Sequence, residues 1–139
     1  MGEMLDRIIE IFRLDLMLQV GLATLLGGAI GLERELGGKP AGLRTNILIC
    51  SGSVLYTHLS IAMVGANTDP TRVAGQIVTG GGFIGAGTIL HARGAVVGLT
   101  SAATIWVVAA IGVTVGFGLY TMGAATTVVT LVVQAVFPR

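Results

Sequence analysis

The residues with chemistry to offer are few in this chain, and they crowd together. The stretch GLERELGGKPAGLRTN, Gly31 to Asn46, carries Glu33, Arg34, Glu35, Lys39 and Arg44. Carboxylates and guanidinium groups at such spacings form ion pairs, and oxygens from Glu33 and Glu35 are the type that hold hard cations. Beyond the N-terminal fifteen residues the remaining carboxylate is Asp69, in NTDPTR beside Arg72. Two carboxylates among three cations make a poor dedicated cation cage. Glu33 is therefore expected to pair with Arg44 or with Arg34. Asp69 is expected to start a turn before Pro70 and to pair with Arg72, a contact worth little at a surface.

Other chemistries lack their signatures. There is no Gly-x-Ser-x-Gly elbow, no His-x-x-x-His zinc pair and no Walker phosphate loop. The single Cys50 excludes an internal disulfide and a cysteine zinc cluster. His91, in LHARG, has no carboxylate near it in sequence, and His58 reads as a packing or interface residue. The chain is not expected to be an enzyme. A net charge of +1 without a basic run argues against nucleic acid.

The elements that must position these residues are apolar. Hydrophobic residues make up 53% of the chain and charged ones 11%, against about 25% charged in an ordinary soluble domain. An all-α integral membrane protein is expected. Spanning a bilayer takes about 17–25 apolar residues. Five stretches qualify: Leu16 to Leu32, Thr45 to Val64, Val73 to Leu90, and two within the uncharged run Gly98 to Pro138. The break in that run is placed at GFGLY, Gly116 to Tyr120. Residues 16–139 thus form one transmembrane domain. In residues 1–15, Glu3, Asp6, Arg7, Glu10 and Arg13 alternate with Leu5, Ile8, Ile9 and Phe12 at helical spacing. That segment is either an amphipathic helix at the membrane interface or the projecting start of a long first helix. Its acidic start does not resemble a cleavable signal peptide.

Five spans put Arg34, Lys39, Arg44, Arg93 and Arg139 on one side, and Arg7, Arg13 and Arg72 on the other. The first side is expected to be cytoplasmic, with the N-terminus outside and the C-terminus inside. The opening stretch then becomes a cytoplasmic elbow. Solubility alone accounts for Lys39, and less well for Glu33 and Arg44 at the very ends of their helices.

The chain also repeats itself. Gly27, Gly28, Ile30 and Gly31 match Gly81, Gly82, Ile84 and Gly85; Gly42, Leu43 and Thr45 match Gly98, Leu99 and Ser101. Either two parallel helical hairpins are related by an axis along the membrane normal, with a fifth helix outside the repeat, or shared glycine content produces the match. Gly27 and Gly31, Gly81 and Gly85, and Gly112 and Gly116 are spaced for close helix packing. The run Thr79 to Gly87, with Gly80, Gly81, Gly82, Gly85 and Gly87, exceeds what packing needs and suggests a helix broken within the membrane. Asn46, Cys50, Ser53, Thr57 and Ser60 share one face of the second span, which must look inward, to another helix or to a water-filled cavity.

The segments GAIGLERE, AGLRTNILICSGS, DPTRVAGQIVTGGGFIGAGTIL and GLTSAATIWVVAAIG resemble the successive motifs of the MgtC/SapB membrane domain, over Gly27 to about Gly118. The resemblance implies a bacterial inner-membrane protein of about five spans. It implies a role in survival at low magnesium and inside macrophages, by modulating the proton-translocating ATP synthase rather than by pumping magnesium. It marks Glu33, Arg34, Arg44, Thr45, Asn46, Asp69 and Arg72 as motif positions, Asn46 among those tied to function. Many members add a soluble C-terminal domain. This chain reaches only Arg139 and is expected to act without one, which puts the virulence role in question. A non-enzymatic regulator working by intramembrane contacts is expected; the alternative is a transporter or channel for a cation or small solute. A homodimer or larger assembly through small-residue faces is expected. No cofactor is legible, and the residues do not define a Mg2+ site.

Overall fold

A computed structural model describes residues 1–12, 14–62, 67, 69, 71–92 and 95–137. Six helices are present among them: α1 Gly2–Phe12, α2 Leu14–Leu36, α3 Leu43–Ala62, α4 Arg72–Gly87, α5 Leu99–Gly116 and α6 Tyr120–Val136. Between α4 and α5 lie two short strands, β1 Leu90–Ala92 and β2 Ala95–Val97, paired antiparallel. This hairpin was not expected. The helix of the third apolar stretch ends at Gly87 rather than Leu90. The Thr88 backbone N–H and hydroxyl both turn back to the Gly85 carbonyl and close it.

Helix ends follow the backbone chemistry of the connecting residues. At the end of α5, Gly118 takes φ +80. Its N–H bonds the Val115 carbonyl, and the Leu119 N–H reaches back to Thr114. This is the Schellman pattern, which needs a residue without a Cβ penalty at that place. The uncharged run therefore divides inside GFGLY. Residues 38 and 39 close α2 the same way, the Lys39 N–H reaching the Arg34 carbonyl and the Gly38 N–H the Glu35 carbonyl.

Glycines set which helices touch. A Cβ on Gly27 would stand 2.7 Å from the Asn46 carbonyl oxygen, and one on Gly31 2.8 Å from Leu43 Cα, so α2 lies directly on α3. Gly112 would meet the Cys50 carbonyl at 2.4 Å and Gly116 the Thr57 Cβ at 2.6 Å, so α5 lies on α3. Gly81 and Gly85 face Ala109 and Ala102, so α4 lies on α5. Backbone approach of this kind lets helices associate by van der Waals contact where lipid provides no hydrophobic drive. The main core is Ala23, Ile30, Cys50, Val54, Val108, Ile111 and Val115, from α2, α3 and α5. A smaller one joins Ala74, Ile77 and Ala109.

The glycine-rich segment is a correction. α4 runs unbroken through Gly80, Gly81, Gly82, Gly85 and Gly87. Each glycine costs about 1 kcal/mol of helix propensity, but close packing on α5 offsets that at Gly81 and Gly85. Added Cβ atoms on Gly80, Gly82 and Gly87 would meet nothing within 4 Å, so these three face outward.

Among the described residues two helices, α2 and α5, are long and apolar enough to cross a bilayer, and α6 is a shorter apolar helix. Leu25, Leu48, Phe83, Trp106 and Val129 are exposed on their outer faces. α1 is exposed wherever its side chains are described.

Candidate functional site

The candidate site forms at one end of the bundle, where α2 and α6 finish and α3 and α5 begin. α2 points its last turn at α5. Arg34 is 5% exposed there, and its Nη2 donates to Ser101 Oγ in the first turn of α5. Ser101 is itself buried. The Glu33 charge acts on Arg34, one of its two expected partners, while the Arg34 guanidinium makes its hydrogen bond to Ser101 and Arg44 is exposed. Glu33 is half-buried, and its Oε2 is buried without a hydrogen-bond partner.

Asn46 shapes the elbow. It is fully buried, and its Nδ2 donates to the Ala41 carbonyl at 2.7 Å and the Gly42 carbonyl at 2.8 Å. Ala41 sits at φ 55, a left-handed conformation that costs a residue with a Cβ about 1–2 kcal/mol. The Asn46 amide is what holds that carbonyl in place. The elbow is thus tied by an amide to backbone. Thr45 beside it is half-buried.

Four buried side-chain atoms lack hydrogen-bond partners among the described residues: Glu33 Oε2, Arg34 Nε, Asn46 Oδ1 and Gln134 Oε1. All four lie at this end. Unpaired buried polar atoms cost about 1–3 kcal/mol each. Gln134 of α6 donates through Nε2 to Thr104 Oγ1 at 3.0 Å, tying α6 to α5 beside the same site.

At the opposite end the buried amide of Gln19 is paired. Gln19 is buried, its Nε2 donates to the Tyr120 hydroxyl at 2.9 Å, and its Oε1 bonds His58 Nε2. One amide thus links α2, α3 and α6. Sequence reasoning missed the Gln19, Ser101 and Gln134 contacts. Their only signal was a polar residue in an apolar run.

Asp69 and Arg72 stand at that opposite end, far along the chain from the elbow charges. Asp69 is exposed and accepts from the Thr71 N–H at 2.9 Å and the Thr71 hydroxyl at 2.7 Å. Those bonds, with a smaller contribution from the Arg72 charge, hold its carboxyl below the usual range. It caps a turn instead of forming the expected side-chain pair with Arg72, which is exposed and begins α4. Pro70, Arg13, Arg93 and Arg139 lie outside the described residues.

The polar face of α3 is enclosed. Asn46, Cys50, Ser53, Thr57 and Ser60 are all buried. Gly112 and Gly116 of α5 press on Cys50, Ser53 and Thr57. The Thr57 hydroxyl bonds its own helix at the Ser53 carbonyl, 2.7 Å away.

The residues do not fit a dedicated magnesium site. Among the described residues no three His, Cys, Asp or Glu side chains cluster. Glu33 and Glu35 share a helix end with the Arg34 guanidinium, and Asp69 is at the other end.

A tightly packed apolar bundle with polar ends is the architecture of a small helical membrane protein. The chain belongs to the MgtC family, whose model matches residues 20–139. It is 46% identical over 130 residues to the "Putative magnesium transporter YhiD" of Escherichia coli (strain K12), covering 88% of this chain and 60% of that protein. It is 47% identical over 113 residues to protein MgtC of Brucella abortus (strain 2308), covering 81% and 47%. With protein SapB of Bacillus subtilis (strain 168) it shares 45% over 114 residues, covering 76% and 49%. The chain thus spans about half of these relatives' length. No solved structure matches it.

Proposed function

We propose that this protein is a non-enzymatic regulator of the bacterial inner membrane, linked to magnesium homeostasis and acting through contacts within the bilayer. The observation that carries this is the closure of α3. Its polar stripe is buried against neighbouring helices: Asn46 against Gly27 and Gly31 of α2, Cys50, Ser53 and Thr57 against Gly112 and Gly116 of α5, and Ser60 against Ala74 of α4. The printed name of the YhiD relative connects the family to magnesium. α2 to α6 would cross the membrane five times, with α1 at the interface. Lys39 and Arg44 at the elbow favour placing that end in the cytoplasm, the N-terminus outside.

The internal repeat supports two parallel hairpins. Gly31 of α2 faces Asn46 of α3, and Gly85 of α4 faces Ala102 of α5. Gly31 and Gly85 are matched in the repeat, and extending its second half matches Asn46 with Ala102.

Cation transport is the second reading. It is favoured by the four unpartnered polar atoms at the elbow end, three of them oxygens. Purified protein in liposomes, tested for Mg2+, K+ and proton flux, separates the two. The regulator reading expects no flux above protein-free vesicles, with a membrane complex copurifying. Clear saturable flux would overturn it.

A further inference from the structure

Extending the internal repeat gives α6 a counterpart position on the second hairpin. α6 lies against α2 and α5. It is tied to α2 by Gln19 and Tyr120, and to α5 by Thr104 and Gln134. Its Leu131 packs on the same core as Leu22 and Leu26. Extending the register that matches Gly27 with Gly81 places Gln19 on Val73 and Leu26 on Gly80. Extending the register that matches Gly42 with Gly98 places Thr104 on Leu48. Val73, Gly80 and Leu48 all line one groove, between α3 and α4, of about 530 Å³. The repeat thus carries both anchor points of α6 into that groove.

The groove has the dimensions and surroundings of a helix seat. Along α4 it extends from Val73 to Ile84, about 16 Å or three helical turns. Gly52 and Gly80 leave its surface open, since a Cβ on either would meet nothing within 4 Å. Its floor, at Ile77 and Ala109, is continuous with the smaller core that α4 and α5 share. In that core Ile77 is 9% exposed, whereas its repeat counterpart Ala23, in the main core, is 0% exposed. Gln76 lines the groove and is exposed, and a side-chain amide facing lipid gains from a hydrogen-bonding neighbour.

The geometry points to this α3–α4 groove as the docking seat for one membrane-spanning helix of another polypeptide. The occupant is an apolar helix with small residues toward Gly52 and Gly80 and one hydrogen-bonding side chain opposite Gln76. It runs in the same direction as α6, as an axis along the membrane normal requires. A second copy of this chain is the poorer occupant. The empty seat and α6 are on opposite sides of the pseudo-axis, so a copy docking through α6 would leave a fresh seat each time and build an open chain rather than a closed pair. This deepens the regulator reading and rests on it.

The test is site-specific photo-crosslinking in native membranes. A photoreactive residue replaces Leu48 or Tyr56 in the groove, or Val129 or Val132 on the exposed face of α6 as controls. The groove positions should give a discrete adduct whose linked peptide maps to a membrane-spanning segment of another protein. Its yield should fall about tenfold with Gly80→Trp or, independently, with Gly52→Leu, while thermal unfolding in detergent stays unchanged. Adducts only to lipid, only to a second copy, or equal from groove and control positions would overturn the proposal. The liposome assay is independent of it: flux without adducts sinks both readings, and no flux without adducts sinks only the seat.

Discussion

Arg34, buried at the end of α2, donates to the hydroxyl of Ser101, 67 residues further along the chain. This bond binds the first hairpin to the second at the elbow end. It also leaves a guanidinium enclosed with its Nε unpartnered. Breaking a buried charged contact from one side is more damaging than removing the charge altogether. Ser101→Ala should therefore destabilise the protein by about 1–3 kcal/mol, and Arg34→Met should cost less than that. Unfolding in mixed micelles measures both. A larger loss from Arg34→Met would show that the guanidinium has partners beyond Ser101.

The glycines divide into two groups with opposite expected behaviour. Gly112→Ala would drive a methyl to 2.4 Å from the Cys50 carbonyl, and Gly27→Ala to 2.7 Å from that of Asn46. Overpacking of this kind costs about 1–3 kcal/mol. Gly80→Ala and Gly82→Ala meet open space and should gain up to about 1 kcal/mol of helix propensity. Melting temperatures should separate the two groups without overlap.

Gly98 combines both constraints. It holds φ +96, and a Cβ there would lie 2.2 Å from the Thr88 carbonyl oxygen, where the end of α4 meets the start of α5. Gly118 shares the positive φ but has free space around it. Gly118→Ala should cost about 1–2 kcal/mol from the backbone alone. Gly98→Ala should cost distinctly more, read as a lower folded yield and melting temperature.

Asp69 gives a pH signature. The bonds from Thr71 depress its folded pKa. Its contribution to stability is then fully present above the unfolded value, about 3.9, and is lost as pH falls through the lower folded value. Asp69→Asn should flatten this acid limb and lower stability by a constant amount across pH 7–9. Melting temperatures from pH 2 to pH 7 would show it. An unchanged acid limb would remove the carboxylate from the account.

At the opposite end, Tyr120→Phe deletes the acceptor of the Gln19 amide. The expected loss is about 0.5–1.5 kcal/mol, concentrated in α6. Hydrogen exchange should quicken over the first turns of α6 and not over α3.

Much of the architecture was legible because local chemistry dictates it. Spacing by four marked Gly27 and Gly31, Gly81 and Gly85, and Gly112 and Gly116 as contact residues, and each pair lies at a helix crossing. The end of α5 followed from GFGLY, where Gly118 takes the left-handed conformation without a Cβ penalty. What sequence could not provide was the partner across the fold. Propensity alone argued for a break in α4, since nothing local shows that Ala102 and Ala109 wait to receive Gly85 and Gly81. Adjacency pointed to Glu33 and Arg34, whose charges do act on each other, but nothing local shows that Ser101 takes the Arg34 hydrogen bond. The hairpin of Leu90 to Val97 escaped notice because three-residue strands are too short to show alternation.

The central claim is that the polar face of α3 is enclosed by α2, α4 and α5 and carries no water. Cys50 reports on it directly, being the only cysteine in the chain and 0% exposed on that face. A membrane-impermeant maleimide should leave Cys50 unmodified in intact vesicles, added from either side, and should label it fully after denaturation. Labelling in the folded protein from either side would place water along α3 and contradict the account.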